Sequence, residues 1–443
     1  MKTLFLEVEM ERDWAVASIG PAFLAAYARQ YGHTIEILHL KIETSIPTIV
    51  KKVLGHKPDV LAFSLTSRQW LRARDIAAAI RKKRIIPTIA GGLHPTFAAE
   101  SVLAHAGFDY VCLGEGEGAF VEFLDTLERE GEVREGQIQN IWCQDGQRPT
   151  LRPAFSPIDT LPFMARDMLN EKYGVVNMTT QRGCPFPCTY CAARMYHELY
   201  PNYGRRRSVD NVVAELQDIV QKGPLNYVIF LDDTFTIHHK WVREFCETYP
   251  REVGAPFSLH ARAETINEAM LQQLAQAGCA HITFGVESGS ERVRREIMDR
   301  RVSNERLIDA FRWSKAAGIL TTANYILGTP TETVDDIEAT LELHHDLAPD
   351  DFGYFVFYPY PGTPLYHTCK TRGLLPDNFE TLPANHRQSV LKHDNLTTAD
   401  IDTYYEKFTK VREADYLRRY GQQLNEAGQA TVKQQIQALA STG

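Results

Sequence analysis

The feature that most restricts the fold is an alternation of short apolar strands with helical stretches, which runs twice along the chain with one break between. In the first run Thr3 to Val8, Thr34 to Leu40, Val60 to Ser64, Pro87 to Ala90 and Tyr110 to Leu113 read as strands. Pro21 to Tyr31, Ala73 to Lys83 and Glu117 to Glu128 read as helices. Strands alternating with helices of this length build a parallel sheet covered on both faces. Residues 1–130 are therefore expected to form a doubly wound, Rossmann-like α/β sheet, with ligands at the carboxyl ends of its strands. Residues 131–170 have no sustained period and carry Gly131, Gly136, Gly146, Pro149, Pro153, Pro157 and Pro162, which predicts a linker.

The second run occupies residues 171–368. A strand from Gly174 to Thr180 is followed by helix Val209–Lys222, strand Tyr227–Leu231, helix Lys240–Tyr249 and strand Phe257–Ala261. Helix Asn267–Ala277, strand His281–Val286, helix Asn304–Ala317, strand Thr322–Leu327, helix Val334–Asp346 and strand Phe352–Tyr358 complete it. Units of this size predict a partial (β/α)6 TIM-like barrel, whose working residues sit just past the strand ends. Those positions hold Asp232-Asp233-Thr234, Arg262-Ala263-Glu264, Glu287-Ser288-Gly289, Gly328 through Glu332 and Tyr360 through Pro364. Each has a plainer use, since strand-end carboxylates cap helices and Pro-Gly makes turns. Residues 369–443 read as a small helical region. The aromatics between Thr397 and Leu424 have the spacing of a face packed on the barrel, and the end from Asn425 reads as an amphipathic or frayed helix.

The formal net charge of -8 is not gathered into blocks, which argues against nucleic-acid binding as the main activity. The opening MKTLFLEVEMERD lacks the features of a secretion signal, and no apolar run approaches the roughly 20 residues of a membrane span. A cytoplasmic protein is expected. Of the eight cysteines, Cys112, Cys143, Cys246, Cys279 and Cys369 read as packing thiols. The other three lie together in Gly183-Cys184-Pro185-Phe186-Pro187-Cys188-Thr189-Tyr190-Cys191, a Cys-x3-Cys-x2-Cys arrangement. In a large chain without a secretion signal such a cluster binds metal or does redox work more often than it forms disulfides. Three thiolates in one compact loop can ligate three irons of a cubane and leave the fourth open. Gly183 and the two prolines favour a stiff loop over a helix. The competing reading is zinc, with His197 as a fourth ligand, but no second ligand pair follows downstream.

The cysteine motif and the five strand-end segments, in this order, resemble the core of the radical S-adenosylmethionine superfamily. The resemblance implies a 4Fe-4S cluster on Cys184, Cys188 and Cys191, with S-adenosylmethionine chelating the open iron and being cleaved to a 5′-deoxyadenosyl radical. It sets Tyr190 and Gly328 near the adenine, Asp232 and Asp233 near the methionyl end, and Arg262 and Glu287 near the carboxylate or ribose. Upstream, Lys57-Pro58-Asp59-Val60, Gly91-Gly92-Leu93-His94-Pro95 and Asp109-Tyr110 through Gly114-Glu115-Gly116-Glu117 resemble the cobalamin-binding domain that precedes many such cores. Gly91, Gly92, His94, Gly114 and Glu115 are the implied cofactor-binding positions. Glycine there would let the backbone approach a flat ligand, although tight turns need it in any case. The sequence departs from the cobalamin signature Asp-x-His-x-x-Gly: residues 13–20 read DWAVASIG, without histidine. The resemblance then implies a corrinoid held without a histidine ligand; a domain that keeps the fold and lacks the cofactor is the alternative.

Within that group, which includes the anaerobic magnesium-protoporphyrin cyclase and many methyltransferases, the domain order implies cobalamin-dependent methylation of an unactivated carbon of a small molecule. An electron donor such as flavodoxin or ferredoxin is implied. The rival readings are radical chemistry without methyl transfer (cyclisation, dehydration, oxidation, or transfer of another part of the cosubstrate) and a corrinoid-binding regulator. Arg205-Arg206-Arg207-Ser208 reads either as an anion-binding loop or as a basic turn with Ser208 capping the next helix.

Overall fold

A computed structural model of the chain describes residues 1–10, 18–201, 203–420 and 433–437. Most of the histidine-free stretch at 13–20 and most of the segment after Asn425 thus lie outside the described residues. The chain divides into two compact units, one of residues 1–172 with 195–205, the other of residues 173–194 with 206–443.

The first unit is built on strands β1 (Lys2–Val8), β2 (Thr34–Leu40), β3 (Val60–Ser64), β4 (Thr88–Gly91), β5 (Tyr110–Cys112) and β6 (Ile141–Cys143), in the order β2-β1-β3-β4-β5-β6. The first five are parallel and β6 is antiparallel to β5. Leu4, Leu6, Leu61, Phe63, Ala90 and Val111 are buried because helices such as Ile19–Gln30, Ser67–Arg81 and Glu117–Glu130 cover the sheet. The winding reverses between β1 and β3, and ligands of doubly wound sheets bind at that switch point. Strand β6 lies inside the stretch expected to be a linker. Three residues are too few to show a period, and the strand forms because Ile141 and Trp142 find burial at the edge of β5.

The second unit begins with β7 (Val175–Met178) and a two-residue strand β8 (Gln181–Arg182); β9 (Arg205–Arg206) marks the boundary between units. Then follow β10 (Tyr227–Phe230), β11 (Phe257–Ala261), β12 (Cys279–Glu287), β13 (Leu320–Leu327) and β14 (Asp351–Val356). The sheet order is β14-β13-β12-β11-β10-β7 and every pair is parallel. Each strand therefore lies beside its neighbour in sequence, the winding of a barrel, here of six strands and open between β7 and β14 among the described residues. Helices Val209–Lys222, His239–Glu252, Glu268–Gln276, Asn304–Ala316 and Val334–Leu347 make the crossovers. Ser208 caps the first of them, accepting from the Asn211 amide at 3.2 Å, and Thr333 with Asp336 forms a capping box on the last. Helix Thr398–Tyr420 packs on β14 through Phe408, whose ring lies 5.7 Å from that of Tyr354, and through a 2.8 Å bond between the hydroxyls of Tyr354 and Thr409. Among the described residues no helix is long and apolar enough to cross a membrane.

Candidate active site

The cysteine loop leaves β8 and is pinned at its centre by Thr189. The Thr189 amide donates to Met298 O at 3.2 Å, its hydroxyl to Ile297 O at 2.6 Å, and its carbonyl accepts from Leu365 N at 3.0 Å. Cys184 and Cys188 are buried and Cys191 half-buried. Burial raises the Cys184 thiol and pushes Cys191 up to about 12, with Asp233 adding to both and the other two thiols adding to Cys191. A bound cationic centre inverts that preference, since thiols on metal are deprotonated. Among the described residues, the one set of three His, Cys, Asp or Glu ligand atoms all within 4.8 Å of one another is His33, Asp125 and Glu128. The three thiols are thus spread wider than one zinc ion would hold them, since Zn–S bonds of about 2.3 Å bring two sulfurs to about 3.8 Å. His197 packs edge-on against Tyr203 at 6.1 Å. Three soft donors, spaced for something larger than one ion, fit an iron–sulfur cubane.

Side chains from the strand ends converge on this loop. Arg262, just past β11, donates to Cys188 Sγ at 2.9 Å and to Glu264 Oε1 at 2.6 Å, with its guanidinium 3.8 Å from the Phe186 ring centroid. Glu287 ends β12 in the left-handed region at φ +72°, a strained conformation for glutamate. Its Oε1 accepts from Tyr190 Oη at 3.0 Å and from Arg300 Nη1 at 3.2 Å. Burial raises the carboxyl of Glu287 and the phenol of Tyr190. Arg300 also donates to Gly285 O at 2.7 Å and lies 4.0 Å from Glu264. The barrel therefore holds a chain of opposite charges, Arg262, Glu264, Arg300 and Glu287, ending on Tyr190. Tyr190 and Glu287 both line a cavity of about 210 Å³ at the carboxyl ends of β12, β13 and β14, together with Asn324, Ile326, Tyr358 and Tyr360.

Two of the expected barrel positions are engaged within the chain itself. Asp232 is buried, and its carboxylate accepts from Thr180 N at 2.8 Å, Thr180 Oγ1 at 2.7 Å and Gln181 N at 3.0 Å. It thus fixes the chain leading into the cysteine loop, and burial lifts its carboxyl to about 6. Asp233, its neighbour, is the exposed carboxylate of the pair. Gly328 turns at φ +78° because Glu332 Oε2 accepts from both its amide, at 2.6 Å, and that of Thr329, at 2.8 Å. A methyl group on Gly328 would come within 3.1 Å of Ile401, so its side-chain face is covered by helix Thr398–Tyr420.

The three arginines after the loop do not form an anion-binding turn. Arg205 holds both oxygens of Glu115, at 2.5 and 3.0 Å. Arg206 is bonded to Gln181 and lies 4.6 Å over Trp241, and buried Arg207 pairs with Glu215 at 2.6 Å.

In the first unit a cavity of about 220 Å³ opens where β1, β3 and β4 end, at the switch point, lined among others by Glu7, Ser64, Thr66, Gln69, Gly92 and Tyr196. Gly92 sits at φ +96°, and a Cβ there would lie 2.9 Å from Leu65 N and O, so only glycine fits this wall. Gly91 precedes it at the end of β4. The other expected positions turn elsewhere. His94 is buried, its Nδ1 3.0 Å from Ser67 Oγ and its ring stacked on Trp70 at 5.0 Å, and burial lowers it to about 4, so it is neutral. Gly114 is covered by Tyr200, whose hydroxyl would be 2.0 Å from an added Cβ and accepts from Glu115 N at 2.9 Å. The Glu115 carboxylate is occupied by Arg205 and by Phe155 N at 2.7 Å. The glycine-walled cavity at the switch point has the chemistry of a cradle for a large flat ligand. Arg300 and Tyr200 carry no local sequence signal because they act through partners 13 and 85 residues away.

Residues 178–344 match the Radical SAM superfamily and residues 14–124 match the B12 binding domain. An "uncharacterized methyltransferase" of Pyrococcus horikoshii is 28% identical over 374 residues, 81% of this chain and 79% of the relative. The anaerobic magnesium-protoporphyrin IX monomethyl ester cyclase of Rubrivivax gelatinosus is 26% identical, over 90% of this chain and 75% of the relative. The solved structure of the cobalamin-dependent S-adenosylmethionine radical enzyme OxsB, with aqua-cobalamin and S-adenosylmethionine bound, superposes with a TM-score of 0.76 at 16% identity, covering 99% of this chain and 71% of OxsB, and so shares its fold. The chain accordingly carries a radical S-adenosylmethionine domain and, ahead of it, a B12-binding domain.

Proposed function

We propose that the enzyme methylates an unactivated carbon of a small molecule, with Cys184, Cys188 and Cys191 as the ligands of its cluster. The observation that carries this reading is one chain with two differentiated sites: a three-thiol loop at the mouth of a barrel, and a glycine-walled switch-point cavity in a B12-binding domain. When bound, the cluster supplies the electron that cleaves S-adenosylmethionine to a 5′-deoxyadenosyl radical, and the corrinoid supplies the methyl group. Arg262 steadies the loop by donating to Cys188. Glu287 and Tyr190 border the cavity in which the cosubstrate would sit, and the Glu287 carboxylate suits hydroxyl donors. Gly92, where a Cβ would meet the Leu65 backbone, lets the end of β4 pack closely against the end of β3 beside the cavity that would hold the corrinoid. On this reading the protein works in the cytoplasm, drawing electrons from a flavodoxin or ferredoxin.

A second reading, radical chemistry without methyl transfer, is favoured by the similarity to the cyclase, which is as extensive as that to the methyltransferase. The test is anaerobic incubation of enzyme loaded with cluster and corrinoid, reductant and S-adenosylmethionine. Methylation predicts S-adenosylhomocysteine that depends on corrinoid loading, beside 5′-deoxyadenosine. Release of 5′-deoxyadenosine alone, unaffected by corrinoid, would replace methylation by the second reading.

A further inference from the structure

At the end of the first sheet where its strands begin, opposite the switch-point cavity, one set of side chains takes no part in either cavity. His33 immediately precedes β2, the edge strand, and Asp125 and Glu128 lie about one turn apart near the end of helix Glu117–Glu130. The end of helix Ile19–Gln30 sets His33 in place. Tyr31 N and Gly32 N donate to Ala28 O and Arg29 O, each at 3.1 Å. Gly32, at φ +85°, then turns the chain so that His33 N also reaches Ala28 O, at 3.3 Å.

His33 is 5% exposed, and its Nε2 is buried without a hydrogen bond. Such orphaned groups are costly and rare. Asp125 Oδ1 lies 3.2 Å from that nitrogen, a length that suits a hydrogen bond, so the oxygen stands to one side of the axis along which Nε2 bonds. Two ligands of a shared cation are arranged in this way. With metal–ligand bonds of about 2.1 Å, neighbouring ligands of a tetrahedral or octahedral ion lie about 3.0–3.4 Å apart, each off the other's lone-pair axis. One ligand atom from each of His33, Asp125 and Glu128 lies within 4.8 Å of the other two. The two carboxylates are exposed, which lets Glu128 close on the ion and leaves room for water at the remaining positions.

We propose that His33, Asp125 and Glu128 bind a divalent transition-metal ion of zinc's class, which ties the edge strand β2 to helix Glu117–Glu130. The buried imidazole selects such an ion over magnesium or calcium, which prefer oxygen ligands alone. The α-amino group of Met1 stands 3.4 Å from His33 Nδ1 and 3.3 Å from Glu128 Oε1. As an ammonium it donates to Nδ1 and leaves the ring hydrogen on Nε2. When Nε2 takes the metal, that hydrogen goes to solvent and one ammonium proton passes to Nδ1. Binding therefore releases one proton and tightens as pH rises.

The test is equilibrium dialysis of full-length, cluster-loaded protein against a series of micromolar zinc concentrations, followed by metal analysis. The wild type should hold one zinc per chain more than His33→Gln, and Asp125→Asn should bind that ion at least about tenfold more weakly. Zinc taken up by thiols is the same in all three proteins and cancels. Iron content equal to that of wild type shows that a variant is folded. Asp125 is exposed, so its replacement leaves the fold intact even where that of buried His33 does not. Either variant, folded and with the wild-type zinc isotherm, would overturn the proposal.

Discussion

Replacing Arg300 by methionine isolates the charge chain at the barrel mouth. The Arg300 side chain is 3% exposed, and it would leave behind Glu287 Oε1 at 3.2 Å and Gly285 O at 2.7 Å without their cation. Breaking one side of a buried pair costs about 3–5 kcal/mol, because the remaining charge stays buried. At about 2–4 °C per kcal/mol for a unit of this size, the barrel should melt roughly 10 °C lower. The loss should depend on pH. Burial already raises the Glu287 carboxyl in the folded chain, and removal of Arg300 raises it further. A carboxyl raised on folding favours the folded state while protonated and subtracts stability as pH rises through its folded value. The deficit should therefore deepen as pH rises above the ordinary carboxylate range. Adding Glu287→Gln should return at least about 1 kcal/mol of it, read as coupling in a double-mutant cycle. Calorimetry of the four proteins at several pH values measures all of this. A variant melting within about 2 °C of wild type, or a deficit flat in pH, would refute the reasoning.

Three further outcomes follow from other parts of the structure. Cys188→Ala should abolish cluster incorporation, read as iron and sulfide content after anaerobic reconstitution, while its far-ultraviolet circular dichroism stays that of wild type. Glu332, buried and raised to about 7, should make wild type lose stability as pH climbs from about 4.5 through 7, whereas Glu332→Gln, which can still accept from Gly328 and Thr329, should show no such loss in the same denaturation series. Gly92→Ala, whose Cβ would meet Leu65 backbone at 2.9 Å, should lower corrinoid retention on gel filtration while cluster content is unchanged.

Much of the fold was legible because five strands of the first sheet and six of the second alternate with helical stretches of regular length, whether the strand is a nearly continuous buried run such as Val60–Ser64 or alternates buried and half-buried positions as Phe257–Ala261 does. β6 was hidden: Ile141 to Cys143 is an antiparallel edge too short to alternate visibly. The candidate site was legible where one local motif holds the chemistry, as in the cysteine loop, and at Gly92, where a positive φ leaves only glycine. It was less legible where a side chain's partners lie outside its own motif. His94 turns inward because Trp70 offers its ring a stacking face, and Asp232 turns back to bind the amides of Thr180 and Gln181. Glu115 is claimed by Arg205, which lies 90 residues on. Arg300 carries no sequence signal, since it is defined by partners brought near only by the barrel.

The most direct test of the account is iron, sulfide and corrinoid analysis, with an ultraviolet-visible spectrum, of protein produced anaerobically with cobalamin supplied. The account predicts a full 4Fe-4S complement together with stoichiometric corrinoid on one chain. A cluster with no retained corrinoid would contradict its central claim of cobalamin-dependent methylation, and corrinoid with no cluster would contradict the radical chemistry itself.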